Sequence, residues 1–138
     1  MRAAFYLRRL GVNEMSVTLI VTTSHDEDFN QTGEEILEEE WEEFVESRDN
    51  LRFRTEPHVA INPATGETIK MAAREGETEV LLEDSWNPFL SYYSGELQMR
   101  YQQELEDPNN PIRHAIVEVA DYFSALITHD ADDEILKW

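Results

Sequence analysis

Apolar positions recur along this chain with two different periods, and the change from one to the other sets out the expected fold. Residues 16–23 (SVTLIVTT) are rich in β-branched side chains, which suit a pleated surface, and are read as a buried strand. Ser24 to Gln31 (SHDEDFNQ) is a polar loop. After it the period becomes helical: Leu37, Trp41, Phe44 and Val45 fall on one face, with Ile36 beside them. Thr32 and Glu35 have the spacing of a capping box. The helix is therefore expected to start there and to end near Arg48, before the turn-forming Asp49-Asn50.

The next part of the chain reads as strands. Residues 51–54 alternate, and His58 to Ile61 and Thr68 to Ala72 flank a glycine-containing loop, which predicts a hairpin. Residues 74–77 (REGE) form a turn, and 78–83 (TEVLLE) another strand. Trp86-Asn87-Pro88 is read as an interruption. Phe89 to Tyr93 and Leu97 to Tyr101 then make a last hairpin around Ser94-Gly95, with Leu97, Met99 and Tyr101 at a period of two. The same segment is rich in good helix formers, so a helical alternative stays open.

Asn110 is a good cap and Pro111 fits a first helical position. Ile112, Ile116, Val119, Phe123 and Leu126 follow in a stripe, widened by Ala115, Ala120 and Ile127, which predicts a second helix ending near Thr128-His129. Asp130 to Glu134 is then an acidic connector, and Ile135, Leu136 and Trp138 an apolar tail that packs back on the domain. The expected fold class is α+β: an antiparallel sheet of about five to six strands with two main helices packed on it, in the order strand-helix-strands-helix.

Charge adds to this picture. Thirty Asp and Glu face eleven Lys and Arg, a net of −19 over 138 residues. Residues 1–14 carry Arg2, Arg8, Arg9 and Glu14, a net of +2, which leaves −21 for residues 15–138. The first segment is accordingly set apart, either as a basic, short helical arm or as an upstream extension with Met15 as the native start. Residues 15–138 are expected to form a single acidic domain. A negative field repels nucleic acid and anionic membranes and favours basic partners. The alternative is that the acidity serves solubility or high-salt adaptation. No apolar run approaches the roughly 18 residues that span a bilayer. There is no cysteine, which removes disulfides and thiolate chemistry. The short apolar stretch from Ala3 to Leu7 is too brief for a secretory signal, and a cytoplasmic setting is expected.

Motifs for chemistry do not hold up. Ser24-His25-Asp26 are consecutive, whereas catalytic triads are assembled in space. His25-Asp26-Glu27 matches half of a zinc-deaminase signature whose cysteine half is impossible here. Asp130, Asp132 and Glu134 lack the glycine of a calcium loop. No glycine-rich phosphate loop is present. No catalytic residue, metal ligand or cofactor is assigned.

What remains is a surface for a partner. Eight of the thirteen residues from Glu34 to Glu46 are glutamate. At 100° per residue Glu35, Glu39, Glu42 and Glu46 make one ridge opposite Leu37, Trp41 and Phe44, bordered by Glu38 and Glu43. No lysine lies on this helix to relieve their repulsion. The candidate partner-binding residues are Glu35, Glu39, Glu42, Glu43 and Glu46 on the helix, Asp26 and Asp28 in the loop, and Trp86 and Tyr92 from the aromatic group. They point to a small acidic protein that neutralises a basic partner, as a bacterial immunity protein or a nucleic-acid mimic does. The alternatives are a non-catalytic subunit or adaptor, with a homodimer through the tail, and a carboxylate-dependent enzyme using a divalent cation.

Overall fold

The computed structural model describes residues 17–73, 76–130 and 132–138. The basic segment 1–14 and the choice between Met1 and Met15 lie outside them. The elements run β1 (Thr18–Thr22), α1 (Glu38–Glu46), β2 (Leu51–Phe53), β3 (His58–Ile61), β4 (Thr68–Met71), β5 (Glu77–Leu82), β6 (Ser85–Tyr93), β7 (Glu96–Arg100), a 3-10 turn (Gln103–Glu106), α2 (Pro111–Phe123), β8 (Leu126–His129) and β9 (Asp132–Ile135).

The expected class holds: α+β, with an antiparallel sheet and two helices. The sheet has seven strands in the order β2-β5-β6-β7-β1-β8-β9, more than the sequence suggested, and β3-β4 form a separate two-stranded ribbon. The two additional strands come from the C-terminal part. The apolar stripe of α2 runs in register into Leu126 and Ile127, so periodicity alone extends the helix too far. Ser124 ends it instead, in the left-handed region with φ 53°. The chain then turns back as β8, whose Ile127 and Thr128 pair with Val21 and Ile20 of β1. The acidic connector is β9, which pairs with β8.

The start of α1 is also corrected. Residues 34–37 lie outside the helix, with Leu37 extended, and the helix begins at Glu38. Thr32 is used elsewhere: its hydroxyl donates to the Thr23 carbonyl at 2.6 Å and accepts from the Glu34 N–H. Glu40 supplies the reach-back of a capping box, accepting from the Leu37 N–H at 3.2 Å. By contrast, Asn110 caps α2 as expected, accepting from the Ile112 and Arg113 N–H groups.

Trp86-Asn87-Pro88 does not interrupt the sheet. It lies inside β6, where the register against β5 shifts between Glu77 and Glu79, opposite Pro88. A bulge of this kind accommodates a residue that cannot donate to the ladder. The β6-β7 hairpin turns through Ser94-Gly95 as expected, both at positive φ.

The core lies between the sheet and the two helices. Leu19 and Val21 of β1, Val80, Leu90 and Leu97 meet Trp41, Phe44 and Val45 of α1 and Ile116 and Val119 of α2, all buried. An aromatic cluster joins the helices: Phe44 lies 4.7 Å from Tyr122 and 5.8 Å from Phe123 between ring centroids. The Arg48 guanidinium sits over the Phe44 ring and pairs with Glu118 at 3.0 Å. The tail packs on its own domain, with Leu136 buried and Trp138 under the Arg113 guanidinium.

The β5-β6 hairpin carries strain. Its two-residue turn places Glu83 at φ 46° and Asp84 at φ 69°, a conformation that favours Asn-Gly. The double substitution Glu83→Asn, Asp84→Gly is expected to stabilise the fold by about 1 kcal/mol and to raise the melting temperature by a few degrees. Thermal unfolding of the two proteins checks this; an unchanged midpoint would show that the turn is not under strain.

Candidate functional site

The nine residues of α1 (EEEWEEFVE) divide by angle into one buried stripe and three acidic lines. Trp41, Phe44 and Val45 face the core. Glu38, Glu42 and Glu46, each four residues apart, stand on one flank. Glu39 and Glu43 form the crest, directly away from the core. Glu40 is on the other flank. Among the described residues none of these six glutamates makes an ion pair.

The first flank borders a cleft of about 490 Å³ between α1 and the adjoining end of β2 and start of β5. Glu38, Glu42, Glu46 and Glu77 supply its carboxylates, and Trp41 and Phe53 its apolar lining. Arg54 also lines it, but its charge is matched: it pairs with Glu79 at 3.1 Å and donates to the Glu56 and Pro57 carbonyls. Trp41 is fully buried, and its indole N–H has no acceptor among the described residues.

The ridge expected from the sequence is thus redistributed. Glu42 and Glu46 enter the cleft, while Glu39 and Glu43 are on the crest. Glu35 is not on the helix. It lines a separate depression with Glu34, Glu40 and Tyr122, and its side chain presses on Gly95, where an added Cβ would lie 2.7 Å from the carboxylate. The Ile36 N–H donates to the Gly95 carbonyl, which fixes this segment against the β6-β7 turn.

Tyr92 is part of the same docking. Half-buried on the helix side, its hydroxyl donates to the Ile36 carbonyl at 2.8 Å. Burial pushes its phenol pKa up, with Glu35 and Glu38 adding to the rise. Trp86 pairs with Leu81 on the opposite face of the sheet, under the Arg52 guanidinium at 4.1 Å. The two aromatics therefore do not share a surface.

Asp26 and Asp28 lie in a loop that contributes nothing to the cleft. The Asp26 carboxylate organises that loop, accepting from the Asp28 and Asn30 N–H groups at 2.9 and 3.0 Å. The Asn30 bond, first among these, lowers its pKa. His25 stacks on Phe29, and Ser24 bonds to Thr22 and Glu96. Among the described residues no three acidic or imidazole groups are placed to share a metal ion.

Sequence reading missed Glu38 as a lining residue in its own right, along with Phe53 and Glu77. It also passed over the exposed apolar ribbon beside them. The signal was present: HVAI and TIKM place apolar residues on both faces of a strand pair, which a half-buried sheet does not require.

A second polar group lies at the other end of the domain. His129 is buried, and both its ring nitrogens lack hydrogen-bond partners among the described residues; Glu134 is 3.6 Å away. The Tyr101 ring meets His129 edge-on at 6.1 Å. Burial, with smaller contributions from Glu106 and Glu134 and against the opposing Arg113, pushes the Tyr101 phenol up to about 12.

No protein-family profile, curated protein or solved structure gives a significant match to this chain.

The Tyr101 shift has a defined sign. The unfolded phenol ionises near 10.0 and the folded one near 12, so the folded state holds the proton longer. Its contribution to stability is complete below pH 10.0 and is lost as pH rises toward 12. Tyr101→Phe is expected to reduce the fall in stability over this window; the raised Tyr92 acts in the same sense and preserves part of it. Urea unfolding at a series of alkaline pH values checks the slope, and an identical slope in the variant would refute the assignment.

Proposed function

We propose that this protein binds a basic protein partner and neutralises it, through the acidic flank and crest of α1 and the cleft beneath them. The observation that carries the reading is that the α1 glutamates have no counter-ions among the described residues, where the arginines are largely used elsewhere. Arg48 is paired with Glu118, Arg52 and Arg54 with Glu79, and Arg113 bonds to the Leu105 and Glu106 carbonyls. Among the described residues nothing therefore cancels attraction toward a cationic partner at this surface.

Such a surface accelerates encounter more than it holds the complex. The apolar lining of the cleft adds the short-range part. The partner class is a basic toxin, nuclease or nucleic-acid-binding protein, and the protein acts as an inhibitor of the immunity type. A reducing, cytoplasmic setting belongs to the same reading, since nothing in the fold depends on cysteine. No cofactor is needed.

Capture of partners from lysate of the source cell, at low and at moderate salt, tests the reading. A single basic protein, retained at low salt and released as salt rises, is expected. For that partner, Glu39→Lys, Glu42→Lys, Glu46→Lys together should slow association at low salt by about tenfold or more. An association rate unaltered by the three reversals would remove α1 from the interface.

A further inference from the structure

The β3-β4 ribbon is the part of the molecule least explained by its own fold. Among the described residues it pairs only with itself, His58 against Met71 through Ile61 against Thr68. Val59 and Ile61 project on one face and Ile69 and Met71 on the other, exposed by 59, 68, 48 and 58%. An isolated two-stranded ribbon is marginal in water and gains stability when a face is covered. Here neither face is covered by the described residues, yet the base of the ribbon is held. His58 Nε2 lies 2.7 Å from Glu77 Oε1. Arg54 clamps the Glu56 and Pro57 carbonyls while paired to Glu79. The ribbon is thus an exposed apolar arm held at its base, and Arg54 and Ala73, which flank it in the chain, line the acidic cleft.

Three kinds of surface cover an exposed apolar arm: a lipid bilayer, a second copy of the chain, or another protein. Charge decides among them. An anionic bilayer and a second copy at −19 both meet repulsion from the carboxylates at the base of the arm. A partner presenting cations beside apolar side chains meets attraction at the cleft and burial at the arm.

We infer that the β3-β4 ribbon is a second contact arm, which packs on an apolar patch of the partner next to the basic residues taken by the cleft. This rests on the basic-partner reading and adds to it the chemistry of the segment recognised: cationic and aliphatic residues together. Burying one or two aliphatic side chains in this way strengthens binding by about tenfold or more.

Two synthetic peptides of equal length and charge test it, one alternating lysine with leucine and one alternating lysine with serine. Each is titrated against the full chain by calorimetry. The leucine peptide is expected to bind about tenfold more tightly. Val59→Ser, Ile61→Ser, Ile69→Ser together should abolish that difference and leave the serine peptide unchanged. Circular dichroism first establishes that the variant is folded, and Met71→Ser alone should give a smaller loss in the same direction. Glu42→Gln, Glu46→Gln should weaken both peptides.

Equal binding of the two peptides, or a difference that survives the ribbon substitutions, would overturn the arm while leaving the basic-partner reading in place. Failure of both peptides to bind would remove both. A dimer in light scattering that dissociates on Val59→Ser, Ile61→Ser would make a second copy the occupant. Binding to phosphatidylcholine vesicles lost in the same variant would make it lipid. Either result overturns the inference.

Discussion

Helix α1 exists because of Trp41, Phe44 and Val45. It has nine residues, six of them glutamate. Helices shorter than about 12–15 residues are marginal in water even with favourable sequences. Like charges four apart, as in Glu38, Glu42 and Glu46, weaken this one further. Its stability must come from burial: the three apolar side chains are almost fully enclosed, against the sheet and against Tyr122 and Phe123 of α2. Full burial of such side chains is worth about 1.5–3 kcal/mol each, against a few tenths for each repulsive pair. Packing therefore outweighs repulsion and determines the direction in which the charge is presented.

The rest of the surface follows from that orientation. With the aromatic stripe fixed inward, Glu39 and Glu43 stand outermost, and Glu38, Glu42 and Glu46 border the cleft over Trp41 and Phe53. Arg48, Arg52, Arg54 and Arg113 complete other contacts instead of compensating the helix. Glu79, nearly buried, takes two of them. A charge that far from water has to be paired, so Arg52 and Arg54 are held where α1 cannot use them. Arg54 in turn holds the base of the β3-β4 ribbon, linking charge placement on the sheet to the position of an exposed apolar arm.

Much of this was legible in the sequence, for identifiable reasons. Asn110-Pro111 announces the start of α2 through a cap and a fixed φ, and Ser94-Gly95 announces a tight hairpin. Of the apolar face read over Leu37, Trp41, Phe44 and Val45, the last three are the buried face of α1, whereas Leu37, ahead of the helix, is exposed and Ile36 beside it is buried. The errors have physical causes too. Leu126 and Ile127 continue the helical spacing past Ser124, which ends α2 in a left-handed conformation without a glycine to mark it. Thr32 resembles a cap but bonds across to Thr23, so the true start of α1 at Glu38 depends on a tertiary contact. Pro88 suggests a break, and only the shifted pairing with β5 shows how a strand accommodates it. For the site, the excess of glutamate on α1 was visible. Its division into cleft, crest and opposite flank was not, because that depends on where Phe53 and Glu77 are brought by strands distant in the chain. Trp86 and Tyr92 are close in sequence, but the sheet separates them onto opposite faces.

The central claim is that the α1 carboxylates form a localised site and not merely a diffuse negative surface. Backbone amide shifts followed by NMR, as an oligolysine peptide is titrated into the full chain, test it most directly. The account predicts saturable shifts concentrated at Glu38, Glu42, Glu46, Phe53 and Glu77, together with the Trp41 indole N–H, all diminishing as salt is added. Small, unsaturated shifts spread over every acidic segment, with the Trp41 indole unmoved, would contradict it.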